Sequence, residues 1–308
     1  MLFEEALDEY IVHCLARGYT PKTMKNKKQE YKHLKIFLVE KRGIRDLKNI
    51  TDHDLKSYFR KKQKDGLQPQ SIVSMYKMIN AFFNWCVKEE YIEKNPMVKV
   101  ERPKEPKKVL NGFTDDEVIA MINAFTTKTF LEARNKAIIM MLADCGLRAI
   151  EIRTFKLKTL LDKDNIVVNG KGNKERYVPI TPALKKVLIK YERMKEKYFN
   201  DWVSTADNYF LNYQGGEISH TALYNVIVKA GKRAKIEDAR CSPHTFRHYY
   251  AVKALSSDKT DLYSLSRLLG HSDVSTTQRY LRTLDDKTLT EKAIDISPLM
   301  NMGKKLKI

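Results

Sequence analysis

The segment between residues 99 and 111 constrains the fold of this chain more than any other feature. It reads KVERPKEPKKVLN, where charged residues alternate with Pro103 and Pro106 and leave nothing that could form a core. Proline removes a backbone donor and favours extended backbone, so the pattern predicts an interdomain linker. A chain of 308 residues is long enough to build a separate hydrophobic core on each side of it.

Residues 1–98 predict an all-helical first domain. Thr20-Pro21 and Thr51-Asp52 are typical helix starts, and a third helix is expected near Ser71. The apolar residues of that third helix follow the i, i+3, i+4 spacing of a buried face: Ile72, Met75, Tyr76, Ile79, Phe82, Phe83 and Cys86.

Residues 112–308 predict a second domain that is mostly helical with a small sheet. A capping box at Thr114 opens a helical stretch that ends before Gly146. Two strand-like runs, Ile166–Asn169 and Arg176–Ile180, flank the glycine-rich residues 170–174 and predict a β-hairpin. Further helix starts are expected at Thr181, Ser219, Ser242, Asp261 and Ser275.

The charge of the chain predicts a polyanionic partner. It has 57 Lys and Arg against 38 Asp and Glu, a net charge of +19. The partner could be nucleic acid or an anionic membrane. Nucleic acid is favoured because the charge is spread through folded segments and no basic amphipathic helix with an aromatic face stands out.

Several classes of protein are disfavoured. The longest apolar stretch, Ala137 to Ala143, is too short to cross a bilayer, and the acidic N-terminus does not resemble a signal peptide. The four cysteines form no Cys-x-x-Cys pair, which disfavours a disulfide framework or a zinc site. We therefore expect a cytoplasmic protein without a metal or other cofactor.

A helix start at Ser242-Pro243 carries three candidate site residues. His244, Arg247 and His248 fall at i, i+3 and i+4, on one helical face. Such a face at a helix N-terminus can meet a phosphate. The alternative is a polar helix face with ordinary histidines; the Glu of a His-Glu-x-x-His zinc motif is missing.

Two basic residues upstream are candidates of the same kind. Arg148 follows a helix-ending glycine, and Glu151 three residues later can orient its guanidinium for a bidentate grip on an anion. A surface ion pair is the common alternative. Lys171 lies in the hairpin turn, where a solvated lysine is the alternative and Lys174 is a rival.

His271 and Tyr280 complete the set. His271 follows a helix-ending glycine, and Tyr280 lies nine residues later, after an expected helix start. One of sixteen tyrosines carries little information by itself. The combination with the arginines and histidines is what points to phosphodiester chemistry.

In order and spacing, these residues closely resemble the tyrosine recombinase (phage integrase-like) family. The matching segments are Cys145-Gly-Leu-Arg148-x-x-Glu151, Gly170-Lys171-Gly-Asn-Lys-Glu-Arg176, His244-x-x-Arg247-His248, Leu-Leu-Gly-His271-Ser-Asp and Thr-Thr-x-x-Tyr280. The resemblance implies a SAM-like core-binding domain at residues 1–98 and an integrase-type catalytic domain at residues 112–308. The similarity to the core-binding domain begins at the first residues of the chain, which suggests a two-domain enzyme without an arm-binding domain.

The resemblance implies a role for each matching position. Tyr280 would be the nucleophile that forms a 3′-phosphotyrosyl bond, and Arg148 and Arg247 would hold the pentavalent phosphate. Lys171 would be the general acid for the 5′-oxygen, and His244 is a candidate base. His271 would hydrogen-bond the phosphate, and the last two positions, Glu151 and His248, would orient these groups.

The resemblance also implies partners: duplex DNA with specific core sites and a homotetramer on the synapse (a monomer or dimer when free). An accessory DNA-bound protein is a further partner compatible with the resemblance. Residues 289–306 would resemble the segment that docks on a neighbouring protomer. Candidate DNA contacts are Lys25, Lys28, Gln70, Lys77 and Lys174. The expected role is integration, excision or resolution of a mobile element through a Holliday junction.

Three alternatives to that role stay open. They are Xer-type chromosome-dimer resolution, a type IB topoisomerase-like enzyme, and a DNA-binding protein of this fold that has lost catalysis. The complete residue set argues against the last.

Overall fold

The computed structural model describes residues 1–104, 112–156, 160–161, 165–169, 175–200, 206–257 and 260–281. The chain divides into two compact units, Met1–Lys108 and Val109–Ile308, here called the first and second units. Each has its own hydrophobic core. Among the described residues, no helix is both long enough and apolar enough to cross a membrane.

The regular secondary-structure elements of the first unit, within its described residues, are all helical. Its four α-helices are α1 (Phe3–Ala16), α2 (Pro21–Lys35), α3 (Asp52–Lys64) and α4 (Pro69–Lys88). A π-helical turn extends α2 over Ile36–Lys41, and 3-10 turns cover Leu47–Asn49 and Pro96–Lys99. The side chains of Thr20 and Thr51 cap α2 and α3 as predicted. The third predicted helix begins at Pro69, two residues before Ser71.

The core of the first unit forms around α4. Ile72, Ile79 and Phe82 are buried at the predicted spacing. Tyr76 is half-buried, and its hydroxyl donates to the carbonyl of Val100 at 3.1 Å. Val100 is itself buried in this core, although the sequence assigned it to the linker.

The second unit is mostly helical with one small sheet. Its helices are α5 (Asp115–Asn123), α6 (Phe130–Cys145), α7 (Ala149–Arg153), α8 (Pro182–Phe199), α9 (His220–Arg233), α10 (Pro243–Ser256), α11 (Leu262–Leu269) and α12 (Ser275–Leu281). The strands are β1 (Leu160–Leu161), β2 (Asn165–Asn169) and β3 (Glu175–Pro179), antiparallel in the order β1-β2-β3. The predicted fold class is confirmed, and β1 is an additional strand that the sequence did not predict.

The pairing of β2 with β3 places a charged residue, Arg176, on the buried face of the sheet. Val167 lies opposite Tyr177 and Val168 opposite Arg176. Burial alternates along β3, so Arg176 and Val178 are buried while Tyr177 is exposed. An arginine on the buried face of a sheet needs polar partners, and they define the site described below.

Helix α6 is the centre of the second unit. It is apolar on nearly every side, since Ala137, Ile138, Ile139 and Leu142 are all fully buried. It packs mainly against α8 and α10. Its carboxyl end positions Gly146 and Arg148, the first and third residues after the helix, in the site.

Candidate active site

Two glycines end the helices that lead into the site. Gly146 follows α6 with φ of 58°, and Gly270 follows α11 with φ of 65°. A Cβ at Gly146 would lie 2.5 Å from Cδ1 of Tyr250, and one at Gly270 would lie 2.9 Å from Nη1 of Arg176. Both positions therefore require glycine for backbone conformation and for space.

The carboxyl end of α11 is where the site assembles. The amides of Gly270 and His271 donate to the carbonyls of Arg267 and Ser266, which forms a Schellman ending. The next three carbonyls each accept from a different arginine: Leu268 from Arg176 (2.8 Å), Leu269 from Arg247 (2.6 Å) and Gly270 from Arg148 (2.9 Å). The negative end of the helix dipole thus holds three guanidinium groups.

Arg148 is the N-cap residue of α7 and is fixed by Glu151. Its amide donates to Oε2 of Glu151 at 2.7 Å, and its Nη1 donates to Oε1 at 2.9 Å. The Glu151 side chain is only 4% exposed, so this is a buried carboxylate and not the surface ion pair of the alternative interpretation. Burial would raise the pKa of Glu151, but the hydrogen bonds and charges of Arg176 and Arg148 bring that pKa below its ordinary value.

Arg176 is a further residue of this cluster. It belongs to the hairpin motif, but the sequence pattern indicated no role for it. Its Nη1 and Nη2 donate to the two oxygens of Glu151 at 2.9 and 2.8 Å, a bidentate pair inside the protein. Arg176 could have been identified from the alternation along β3, which places it on the buried face of the strand next to the glycine-rich turn.

Arg247 is the least exposed of the predicted site residues that the structure describes, at 3%. Besides the Leu269 carbonyl, it donates through Nη1 to the carbonyl of Gly146 at 2.9 Å. Burial, followed by the charge of Arg148, lowers the pKa of Arg247 to about 10. It therefore keeps its charge at neutral pH.

His271 connects Arg247 to Thr277 of α12 through hydrogen bonds. Its Nε2 lies 2.9 Å from Nη2 of Arg247 and its Nδ1 lies 2.7 Å from Oγ1 of Thr277. Because a guanidinium can only donate, Nε2 accepts and Nδ1 carries the proton that goes to Thr277. Burial, then the charges of Arg247 and Arg148, lower the pKa of His271 to about 4, which agrees with a neutral ring.

The other two histidines lie on α10, near its start. His244 is exposed, and its pKa is lowered by partial desolvation and then by the charges of Arg247, Arg148 and other nearby arginines. His248 is buried, which lowers its pKa, and its ring centroid lies 5.4 Å from that of Tyr280.

Tyr280 is carried by α12 and is 7% exposed. Its ring lies 6.3 Å from that of His271, close to parallel at 18°, and it packs with Ala251, Leu265 and Leu269. The structure therefore brings Tyr280 together with the arginines and histidines predicted from the sequence.

The remaining predicted residues fall elsewhere. Lys171 and Lys174 lie outside the described residues, as do residues 282–308. Lys25, Lys28, Gln70 and Lys77 are exposed on α2 and α4 of the first unit.

The charges of the site favour an anionic ligand. Arg148, Arg176 and Arg247 surround a single carboxylate, that of Glu151. Burial is the main cause of the low pKa of His271, and the charges of Arg247 and Arg148 lower it further. Preorganised guanidinium groups of this kind bind phosphate oxygens well. Within the described ranges, no group of three or more His, Cys, Asp or Glu side chains is arranged to hold a metal ion.

This chain is similar to recombinases both in sequence and in fold. Tyrosine recombinase XerD of Listeria innocua serovar 6a is 27% identical over 284 residues, covering 90% of this chain and 93% of XerD. A lambda integrase dimer bound to a COC′ core site gives a TM-score of 0.71 at 17% identity, covering 91% of this chain and 95% of that one. A lambda integrase tetramer bound to a Holliday junction gives 0.70 at 16% identity, covering 89% and 79%.

Family models agree with these neighbours. Residues 2–102 match the phage integrase SAM-like domain, and residues 112–287 match the phage integrase family. The second match alone spans more than half of the 308 residues. The chain therefore belongs to the phage integrase family and is a tyrosine recombinase.

Proposed function

We propose that the protein is a site-specific recombinase that cleaves and rejoins DNA through a phosphotyrosyl bond at Tyr280. The observation that carries this proposal is the convergence at the carboxyl end of α11. There Tyr280 packs beside His248 and His271, while Arg148 and Arg247 are fixed by the carbonyls of Gly270 and Leu269.

In the proposed cleavage step, Oη of Tyr280 attacks the scissile phosphorus. The bond from phosphorus to the 5′-oxygen breaks, and a 3′-phosphotyrosyl bond replaces it. The 5′-oxygen leaves as a hydroxyl after taking a proton from Lys171. Rejoining is the same step in reverse with a different 5′-hydroxyl, so the bond energy is retained in the phosphotyrosine.

Arg148 and Arg247 stabilise the additional negative charge of the pentavalent phosphate in this mechanism. Loss of one such preorganised donor costs about 10²–10³ in rate. His271 adds a further hydrogen bond once the phosphate's negative charge offsets the arginines and favours protonation of the ring.

His244 is proposed as the base that takes the phenol proton. Its lowered pKa supports this role, because a neutral imidazole is the form that can accept a proton at neutral pH. Glu151 and His248 are proposed to orient Arg148 and Tyr280 through the contacts described above.

The proposal extends to the assembly. Residues 1–98 and 112–308 would bind the duplex on specific core sites, connected by the linker at 99–111. Lys25, Lys28, Gln70, Lys77 and Lys174 are proposed DNA contacts, and four copies would exchange strands through a Holliday junction. The lambda integrase tetramer on a Holliday junction has a similar fold, which supports this arrangement. Because the substrate is DNA, the proposal places the protein in the cytoplasm.

We propose integration, excision or resolution of a mobile element as the biological role. Xer-type chromosome-dimer resolution is the alternative, and the similarity to XerD over nearly the whole chain is the reason to test it. The preferred DNA sequence separates the two roles. A pair of genomic sites that borders a mobile element supports the first, and a single chromosomal site supports the second.

The chemistry is tested by trapping the covalent adduct. The protein is incubated with a library of nicked duplexes of random sequence, detergent is added, and DNA that stays attached to protein is isolated and sequenced. The wild type should yield an enriched core site, and Tyr280→Phe should bind DNA without forming the adduct. The exposed Tyr263 on α11 provides the control, since Tyr263→Phe should trap DNA normally. An adduct in Tyr280→Phe refutes the assignment.

A further inference from the structure

The carboxylate of Glu151 is shared by two arginines in a specific way. Arg176 donates one hydrogen bond to each of its oxygens, and Arg148 donates one from its side chain and one from its amide. A carboxylate accepts about four hydrogen bonds, so Glu151 is saturated. Neither oxygen can then form a second bond to the Arg148 side chain.

This sharing determines how much of Arg148 is left for a ligand. A guanidinium has five N–H donors. Arg148 uses one for Glu151 and one for the Gly270 carbonyl, and its side chain is 31% exposed. It is therefore held from two directions while part of its donor set still faces the site.

We propose that Arg176 is a positioning residue that keeps Glu151 from neutralising Arg148. The inference rests on the proposed phosphotyrosyl chemistry and deepens it. Arg176 donates a hydrogen bond to each oxygen of Glu151. The carboxylate therefore orients the Arg148 side chain through one hydrogen bond and does not neutralise its positive charge.

Replacing Arg176 would release the carboxylate toward Arg148. Glu151 would then meet Arg148 with both oxygens, in the bidentate geometry that arginine and carboxylate prefer. The guanidinium would turn away from the phosphate, and the carboxylate would offset much of its positive charge. Catalysis would fall because a carboxylate has been released, and not because an arginine contact to DNA has been lost.

A second contact connects Arg176 to the rest of the site. Its Nε donates to the carbonyl of Leu268, one residue before the carbonyl that holds Arg247. Arg176 lies on β3, five residues after Lys171 in the sequence. The Arg176 side chain thus connects β3, the second strand of the hairpin, to both α7 and α11.

The test is suppression of an arginine defect by removal of the carboxylate. Arg176→Met should lower the rate of phosphotyrosyl formation on saturating DNA about 10- to 100-fold, less than complete loss of a clamp arginine. Its Kd for the same duplex should stay within about threefold, since affinity comes from many phosphate contacts. Arg176→Met combined with Glu151→Gln should recover about tenfold in rate, because the amide cannot neutralise Arg148.

Arg153 supplies a matched control. It also forms one ion pair with a glutamate, Glu217 at 2.6 Å, and one bond to a carbonyl, that of Ile218 at 2.8 Å. Arg153→Met should cleave at the wild-type rate. Thermal unfolding of every variant identifies those that are folded. If Arg176→Met does not fold, Arg176→Gln, which also removes the charge that holds Glu151, replaces it in each comparison.

The outcomes separate this inference from the proposed function. Absence of any adduct in the wild type contradicts the proposed function itself. If the wild type forms the adduct, a folded Arg176 variant with the wild-type rate overturns the inference. The inference is also overturned if the double variant cleaves no faster than Arg176→Met alone, which is the result expected from a purely structural role for Arg176.

Discussion

Replacing Gly270 by alanine should damage both the stability of the second unit and its chemistry. The backbone at Gly270 has φ of 65°, and a side chain in that conformation costs about 1–2 kcal/mol. The new Cβ would also lie 2.9 Å from Nη1 of Arg176. That guanidinium cannot move freely, because three hydrogen bonds, two to Glu151 and one to the Leu268 carbonyl, hold it in place.

The size of the effect follows from these two contributions. Loss of one charge-assisted hydrogen bond of Arg176 costs about 1.5–3 kcal/mol. Added to the backbone strain, the free energy of unfolding should fall by about 3–5 kcal/mol. For a unit of this size each kcal/mol shifts Tm by about 2–4 °C, so Tm should drop by roughly 6–20 °C.

Gly66 provides the matched control for backbone strain. It also has positive φ, 79°, but a Cβ there would meet no atom within 4 Å. Gly66→Ala should therefore cost about 1–2 kcal/mol and leave cleavage unchanged. Stability is measured by calorimetry, with hydrogen exchange of peptides to assign each loss to its unit. Equal losses of stability in the two variants would refute the description of Arg176 as a fixed group.

Three further predictions concern His271, Thr277 and salt. The folded-state pKa of His271, about 4, lies below the unfolded value, so its contribution to the free energy of unfolding should fall as pH drops from 6.5 toward 4; a titration in which His271→Asn has the same pH dependence in this window as the wild type contradicts this. Thr277→Val removes the acceptor of the His271 Nδ1 proton and should slow adduct formation about tenfold. Thr277→Ser should keep the rate, and equal rates for both variants would show that the hydroxyl has no role. Log Kd for DNA should rise steeply with log salt because Lys and Arg displace counterions; a flat dependence, measured by anisotropy, argues against the binding model.

Local chemistry was sufficient to predict most of the helix boundaries. Thr20, Thr51, Thr114 and Ser242 were identified as N-caps from their neighbours alone, and each side chain accepts the expected amide hydrogen bond. Capping is a contact within three residues, so the sequence contains both partners.

Residues whose environment depends on distant segments could not be predicted in this way. Lys27 lies in a lysine-rich helix, α2, yet it is buried and donates to the hydroxyls of Tyr10 and Tyr31. Arg176 was missed for the same reason, since its partners lie 25 and 92 residues away. The two-residue strand β1 has too little sequence to show a pattern.

The site was predicted through its resemblance to a family more than through physics. Arg148, Arg247, His271 and Tyr280 each had an ordinary interpretation when considered alone, and the structure brings them together. The roles given to them, and those of Lys171 and Lys174, remain predictions that the variants above test.

The three arginines held by the end of α11 place a limit on the length of this part of the chain. Consecutive peptide groups accept from Arg176, Arg247 and Arg148 in that order. One residue inserted between Leu268 and His271 would give each guanidinium the wrong carbonyl or displace His271 from Thr277. The described residues just before α11, Thr260 and Asp261, take part in none of these three hydrogen bonds. Length variation should therefore be tolerated before the helix and rejected at its end, a contrast that an insertion scan would show directly.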